Sequence, residues 1–342
     1  MAIRVAINGF GRIGRCFLRR AMEYPAHKSM CGVEVVAIND LLAIPETAAY
    51  LFKYDSVYHK YKGSVGHHGN NLVVDGRAIV ITHEKDPQAL PWKELGIDVI
   101  IECTGRFTDR EESEKHLKAG AKKVIISAPS KNADAVIVLG VNEEIYDPRN
   151  HHIVSLASCT TNSLAPVAKV LNDSFGIESL FITAIHSYTA GQALVDSFGK
   201  RLRRARAAAV SIIPTTTGAT IATEQVLPEL KGKMTGLAMR VPVICGSVTD
   251  IVANVQREAT EEEVNDVLRV SSQTEKMKGI LEVTDDRIVS IDIIGNSHSA
   301  IVDAISTTVL HKKVAKVLSW YDNEWGYACR LVDFTKIIGG LL

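Results

Sequence analysis

A single cysteine, Cys159, stands in SLASCTTNSLAP (155–166), with Ser158, Thr160, Thr161 and Asn162 around it and an apolar stretch, 151–156, before it. Residues 164–171 read as a helix, so the thiol lies at the start of one. There it meets free backbone amides and the positive end of the helix dipole. Both favour the thiolate and predict a pKa lowered from about 8.5 into the range of roughly 3.5–7.5. The same amides can hydrogen-bond an oxyanion formed when sulfur adds to a carbonyl. His186, in AIHSYT, ends the strand-like stretch that follows. A strand returning beside the helix brings its imidazole to the sulfur as base and ion-pair partner. Taken singly, each residue has a plainer reading, the cysteine as a small core residue and the histidine as a satisfied polar one.

Anion chemistry is also within reach. GKRLRRARAAA carries Lys200, Arg201, Arg203, Arg204 and Arg206, and PTTTGAT (214–220) offers hydroxyls and Gly218 ahead of a helix. Arg240 in MRVP adds a guanidinium, whose forked donors match phosphate. Two anion sites suit a phosphorylated substrate plus a second phosphate or inorganic phosphate. The plainer reading of the basic run is a solvated face. A nucleic-acid patch is disfavoured, because no aromatics interleave and Lys plus Arg balances Asp plus Glu at 39 each.

A cofactor signal precedes both. In NGFGRIG (8–14), Gly9, Gly11 and Gly14 form GxGxxG between strand 3–7 and helix 13–22. Glycines there allow a tight turn and let a pyrophosphate reach the amides of the helix N-terminus. Asp40 closes VEVVAIND and suits the adenosine ribose hydroxyls. It lies further on than the usual spacing of about 20 residues, the polar stretch 24–32 supplying the extra length. A carboxylate there repels a 2′-phosphate, which favours NAD over NADP. The alternative is a glycine-rich structural turn with a capping aspartate.

These groups need two different platforms. In the first half, near-continuous apolar strands (IRVAIN, VEVVAIND, DVIIECTG, KKVIIS, AVIVLG, HHIVSLA) alternate with helical stretches at 13–22, 46–52 and 111–119. That pattern predicts a doubly wound parallel sheet of α/β type. KGSVGHHGNNLVVDGRAIVIT reads as a hairpin ornament at its side. Beyond Cys159 the strands lengthen and alternate, with few helices (261–274 the clearest), predicting an α+β domain with a mixed or antiparallel sheet. A last helix, 324–338, is expected to return to the first domain. The division read from sequence is 1–157 with 324–342 for cofactor binding and 158–323 for catalysis. The length of 342 residues agrees with two domains of about 150 each. The six scattered cysteines suit a reducing compartment, and no spacing of His or Cys suggests a metal; His67-His68 and His151-His152 read as loop or strand-edge residues. No apolar run approaches the roughly 18–20 residues that span a bilayer, and MAIRVAINGFGRIGR lacks the apolar core of a signal peptide, so a cytoplasmic protein is expected.

INGFGRIGR, SCTTN, HSYT, LRRARAAA, IPTTTGA, RVPV and SWYDNEWGY, in this order over essentially the whole chain, resemble glyceraldehyde-3-phosphate dehydrogenases. The resemblance implies a Rossmann domain plus a catalytic domain, NAD as cofactor, glyceraldehyde 3-phosphate and inorganic phosphate as substrates, and a homotetramer. It implies a Cys159 hemithioacetal and thioester with His186 as base. Ser158, Thr160, Arg204, Thr217 and Gly218 match the site of the attacking phosphate, and Thr189 and Arg240 that of the substrate phosphate. Asn8, Gly9, Phe10, Gly11, Arg12, Ile13, Gly14, Asp40, Thr104, Ser127 and Asn323 match cofactor contacts, and Tyr327 the aromatic residue flanking the nicotinamide pocket. The chain departs from the pattern at three places. HSYTAGQ puts Gly191 where an aspartate usually shapes the substrate-phosphate site, which would weaken triose-phosphate binding or admit another chain length. Ser197-Phe198 replaces a Leu-Pro common in NAD-specific members, which opens a route to NADP that Asp40 opposes. Ser163 replaces a second cysteine that the chemistry does not need. Erythrose-4-phosphate dehydrogenase, a Cys-His hydrolase and a non-catalytic NAD- or nucleic-acid-binding protein stand as rival readings.

Overall fold

The computed structural model describes residues 2–23 and 32–342. Most of the polar stretch invoked for the position of Asp40 lies outside the described residues. The chain divides into two compact units: Met1–Ile137, Glu144–Ala157 and Ala328–Leu342 form the first, and Val138–Glu143 with Ser158–Tyr327 the second.

The first unit is built on strands β1 (Ile3–Asn8), β2 (Val33–Asn39), β5 (Val65–His68), β6 (Asn71–Val74), β7 (Arg77–Thr82), β8 (Val99–Glu102), β9 (Lys123–Ile126), β10 (Ala135–Val136) and β11 (Ile153–Ser155), with a small β3 (Tyr54–Asp55) and β4 (His59–Lys60) pair beside them. The sheet order is β10-β11-β9-β8-β1-β2-β7-β6-β5. From β10 to β7 every pairing is parallel, and β8 and β9 are buried at every residue, as strands covered on both faces must be. The hairpins are not an ornament at the side. β7 pairs in parallel with β2, and β6 and β5 continue the sheet antiparallel, because β2 otherwise has an open edge. In AVIVLG only Ala135–Val136 is strand, and the following Val138–Glu143 clusters with the second unit. Helices α1 (Arg12–Glu23), α2 (Pro45–Lys53) and α3 (Arg110–Lys118) connect the strands. The chain leaves β1 for β2 on one side and reaches β8 on the other. The carboxyl end of β1 is therefore a topological switch point, where open α/β sheets place ligands.

The second unit carries β12 (Ile177–Ser187), β13 (Ile213–Thr215), β14 (Met234–Val241), β15 (Ser247–Val255), β16 (Leu281–Thr284), β17 (Ala300–Leu310) and β18 (Val314–Tyr321), ordered β13-β14-β12-β15-β18-β17-β16. β12 runs parallel to β14 and β16 to β17, and the other pairs are antiparallel, a mixed sheet as the sequence suggests. Along β12 the alternation buries Leu180, Ile182, Ala184 and His186 on one face. Helix α4 (Cys159–Phe175) begins at the cysteine itself, five residues before the stretch read as helical. Ser158 caps it, its Oγ accepting the Thr161 amide at 3.1 Å, and Gly176 ends it with φ +67°. Helices α5 (Ala219–Val226) and α6 (Glu261–Ser272) complete this unit, α6 opening with a Thr260–Glu263 capping box. The last helix, α7 (Trp325–Leu341), has its residues from Ala328 onward in the first unit, where Phe334 meets Tyr146 edge-on at 5.2 Å.

Candidate active site

Capping by Ser158 puts the Cys159 side chain in the first turn of α4, and β12 delivers His186 beside it. Cys159 Sγ lies 3.5 Å from His186 Nε2. His186 is buried, with the Tyr321 ring edge-on at 6.0 Å and its Nδ1 2.7 Å from the Ser187 carbonyl. Arg240 is paired with His186 across the β12–β14 ladder, and its Nη1 reaches both His186 Nδ1 (2.8 Å) and the Ser187 carbonyl (2.9 Å). The juxtaposition expected from sequence is present, but its charge state is not. Burial pushes the Cys159 thiol up, outweighing Arg240 and the hydrogen bonds from Thr160 and the helix-start amides that pull it down. Burial, then the Arg240 charge, hold the imidazole down at about 3. Both directions run against the thiolate–imidazolium pair expected from the sequence. The helix N-terminus acts as anticipated and is outweighed by desolvation. His186 Nδ1 faces both an acceptor, the Ser187 carbonyl, and a donor, Arg240 Nη1; the tautomer with Nδ1–H on the carbonyl is the one that leaves Nε2 bare toward the sulfur, the arrangement a base requires.

The residues expected to hold phosphates are only partly assembled. Arg204 Nε donates to Thr215 Oγ1 at 3.0 Å, and both its neighbour Arg240 and burial lower its pKa, which marks two guanidinium groups within electrostatic reach of each other. Such a pair gains from an anion between them. Thr217 Oγ1 accepts the Ala219 amide at 3.1 Å, and Gly218 is the residue before α5. Ser158 Oγ is engaged as the cap of α4, and the buried Thr160 hydroxyl pairs with Tyr321 Oη at 2.9 Å. These two offer an anion less than their hydroxyls promise in sequence. Thr189 is exposed, its amide donating to Gln192 Oε1 at 3.3 Å. Gly191 has open space where a side chain would be, and Phe198 projects fully into solvent. The buried Ser163 hydroxyl is paired with Ser319 Oγ at 2.8 Å.

In the first unit, Asn8, Gly9, Gly11, Asp40 and Thr104 line a cleft of about 400 Å³ at the carboxyl ends of the strands, with Asn39, Leu41, Leu42, Glu84, Lys85, Cys103, Arg106 and Phe107. The glycines are there for space. Gly9 has φ +96°, and a Cβ on it would lie 2.8 Å from the Cys103 carbonyl carbon; a Cβ on Gly14 would lie 2.3 Å from the Gly9 oxygen. Gly11 instead faces open space. Asp40 is held by two backbone donors, Phe10 N to Oδ2 at 2.8 Å and Leu42 N to Oδ1 at 2.9 Å. Close backbone approach, an open glycine and a fixed carboxylate fit a dinucleotide's pyrophosphate and ribose. Of the other expected contacts, Phe10 is buried against Phe52, Arg12 is turned onto Asp55 at 2.5 and 3.1 Å, Ile13 is half-buried, and Ser127 directly follows β9 with its amide on the Glu102 carbonyl. Asn323 and Tyr327 are buried in the second unit. Asn323 Oδ1 accepts Ser187 Oγ (3.0 Å), Ser247 Oγ (3.0 Å) and the Gly246 amide (3.1 Å).

Sequence reasoning passed over Tyr321, Asn39, Glu102 and His116. The signal at Glu102 was legible: an acid closing the apolar run DVIIE at the end of a strand must be buried with partners. No cluster of metal-ligating side chains occurs among the described residues. Comparison with known proteins agrees with this geometry. Residues 3–110 match the family described as glyceraldehyde 3-phosphate dehydrogenase, NAD binding domain, and residues 158–323 match its C-terminal domain. The glyceraldehyde-3-phosphate dehydrogenase of Geobacillus stearothermophilus is 54% identical over 338 residues, 99% of this chain and 98% of that protein. Those of Streptomyces coelicolor (51% over 342 residues, all of both chains) and Borreliella burgdorferi (51% over 340 residues, 98% and 99%) are comparably similar. A fingerprint cleft in one unit, a Cys-His pair in the other and identity along the full length together mean that the chain belongs to the glyceraldehyde 3-phosphate dehydrogenase family.

Proposed function

We propose that this chain oxidises D-glyceraldehyde 3-phosphate with inorganic phosphate to 1,3-bisphosphoglycerate, a glycolytic and gluconeogenic step, with NAD reduced in the process. The observation that carries the proposal is the 3.5 Å approach of half-buried Cys159 Sγ to Nε2 of buried His186, which Arg240 flanks. On this reading the unit read as 1–157 with 324–342 holds NAD through Gly9, Gly11, Asp40 and Thr104. The part read as 158–323 does the chemistry.

His186 Nε2 accepts the thiol proton as Cys159 sulfur bonds to the aldehyde carbon, forming a hemithioacetal. First-turn amides of α4 stabilise the developing oxyanion. NAD, when bound, supplies the acceptor for the hydride that leaves this carbon. His186 returns its proton to the oxyanion, giving the hemithioacetal hydroxyl, and takes it up again as the carbon becomes a Cys159 thioester. Inorganic phosphate, held by Arg204, Thr217 and Gly218, attacks the thioester carbon. The carbon–sulfur bond breaks, sulfur takes the proton held by His186, and the thiol is restored as the acyl phosphate departs. Arg240 with Thr189 holds the substrate phosphate. A thiol suits this sequence because the thioester keeps much of the oxidation energy for phosphate to capture.

A homotetramer in the cytoplasm completes the proposal. Leu194, Val195, Phe198, Leu202, Val210 and Ile212 are exposed along one segment, which favours association. Nucleic acid is not expected as the primary partner. The test follows NADH absorbance after mixing enzyme, NAD and glyceraldehyde 3-phosphate, with and without phosphate. Sustained turnover that needs phosphate is expected. Turnover with erythrose 4-phosphate alone would overturn the substrate assignment and implicate the open space at Gly191.

A further inference from the structure

We infer that Glu102 is a positioning residue for the cofactor. It is the single acceptor on which a buried hydrogen-bond chain across four strands converges, and through that chain it fixes Asn8 and Thr104 in the dinucleotide cleft. The inference rests on that cleft binding NAD, as proposed above.

Glu102, Asn8, Asn39 and Thr82 are the last residues of β8, β1, β2 and β7, and they are paired side by side: Glu102 with Asn8, Asn8 with Asn39, Asn39 with Thr82. Each closes a largely apolar strand with a polar side chain, and the four form one row beneath the cleft. Three arms meet in it. At one end Trp92 Nε1, which can only donate, lies 3.0 Å from His116 Nδ1. His116 therefore carries its proton on Nε2, which faces Glu102 Oε2 at 3.3 Å. At the other end the Glu84 amide, also donor only, reaches Asn39 Oδ1 at 2.9 Å, joined by Thr82 Oγ1 at 2.9 Å. Asn39 Nδ2 must then donate to Asn8 Oδ1 (2.7 Å), and Asn8 Nδ2 to Glu102 Oε2 (2.5 Å). The third arm is the Thr104 amide on Glu102 Oε1 at 2.7 Å, with the Thr104 hydroxyl on the same oxygen.

Every arm starts at a group that can only donate, so the meeting point has to be a group that only accepts. An ionised carboxylate is that group, and a carboxamide is not. Glu102 is 1% exposed and His116 fully buried, so water cannot repair a mismatch. Glu102, His116 and Trp92 do not line the cleft, whereas Asn8, Asn39, Glu84 and Thr104 do. The strand ends are tied to the same row by backbone bonds, Gly9 N to the Asn39 carbonyl and Cys103 N to the Asn8 carbonyl, both 2.7 Å. The carboxylate thus sets the spacing of the loops that close around the dinucleotide.

Glu102→Gln keeps the shape and turns an NH₂ against one pair of donors. The expected result is NAD affinity weaker by about tenfold or more, the conversion of one buried donor–donor conflict, with the alkylation rate of Cys159 unchanged. Trp92→Phe, which keeps the bulk and frees His116 to shift its proton, should weaken NAD binding in the same direction by a smaller factor, and it decides the matter where Glu102→Gln does not fold. In the cofactor-free wild type, ¹⁵N spectra of His116 should show the proton on Nε2. If both folded variants bind NAD as the wild type does and only lose thermal stability, or if His116 carries its proton on Nδ1, the inference is overturned. Wild-type protein that fails to bind NAD overturns the proposed function, and this inference with it.

Discussion

Replacing Arg240 by Met removes the guanidinium charge beside His186 and keeps most of the side chain's bulk. The imidazole falls from its ordinary 6.5 to about 3, with burial the larger cause and Arg240 the second. A unit charge about 4 Å away, at an effective dielectric near 20, is worth about 4 kcal/mol, or about 3 pH units, before discounting. Burial is the larger cause, so Arg240 owns less of the fall than burial does. Arg240→Met should then raise the His186 pKa by about 1 to 1.5, to between about 4 and 5, and not restore 6.5. Arg204, whose charge also lowers it, remains. The assay is a pH titration of ¹³Cε1-labelled histidines in cofactor-free enzyme, with the His186 signal assigned by its loss in His186→Asn. A pKa that stays near 3 would refute the role given to Arg240. A return to 6.5 would refute the weight given to burial.

Cys159→Ser should lower turnover by at least about 10³-fold while NAD binding, measured by calorimetry, is unchanged, because a buried serine hydroxyl is far less nucleophilic than sulfur. Gly9→Ala should abolish or strongly weaken NAD binding and lower the unfolding midpoint, since its Cβ would meet the Cys103 carbonyl carbon at 2.8 Å and its φ of +96° suits glycine. His186 also predicts acid sensitivity. Its folded-state pKa near 3 lies below the unfolded 6.5, so between these values the unfolded chain binds the extra proton. Its contribution is therefore constant above about pH 6.5 and declines as pH falls toward 3, by a total on the order of 5 kcal/mol. Denaturant unfolding of wild type and His186→Asn at several pH values should show the wild type losing ground below pH 6.5, and parallel curves would contradict a neutral buried imidazole.

The row Glu102–Asn8–Asn39–Thr82 explains what could be read ahead of the structure and what could not. Strand ends were legible because apolar runs stop at polar residues, and GxGxxG gave the turn after β1. Partnership across strands was not, since which polar ends become neighbours depends on sheet order, and β7 joins β2 only through the placement of a hairpin read as an ornament. Cys159 and His186 were paired correctly from local geometry, a helix start and a strand end. Their protonation was not legible, because desolvation depends on the atoms packed around them, Tyr321 among them, and no local pattern counts those. Thr160 makes the same point. Beside a nucleophile its hydroxyl reads as a phosphate ligand, but the third dimension points it at Tyr321.

A neutral pair, toward which both shifts point, changes how the chemistry begins. A preformed thiolate would need no base at the first step, and its helix amides would be spent on sulfur before substrate arrived. A neutral thiol 3.5 Å from a bare Nε2 keeps both groups uncharged in a site that penalises charge, and couples deprotonation to attack. The charge that then appears lies on the carbonyl oxygen and on the imidazole. Arg240 opposes the second of these, but an anionic substrate phosphate against Arg240 would offset the guanidinium charge. Substrate bearing a phosphate would therefore strengthen the base that acts on it, whereas an unphosphorylated aldehyde would meet His186 at its weakest. Glyceraldehyde with added phosphite or sulfate, compared with glyceraldehyde alone, separates this effect from simple binding. The anion should raise the turnover rate at saturating aldehyde and not only the apparent affinity, and an effect confined to KM would remove the coupling from the mechanism.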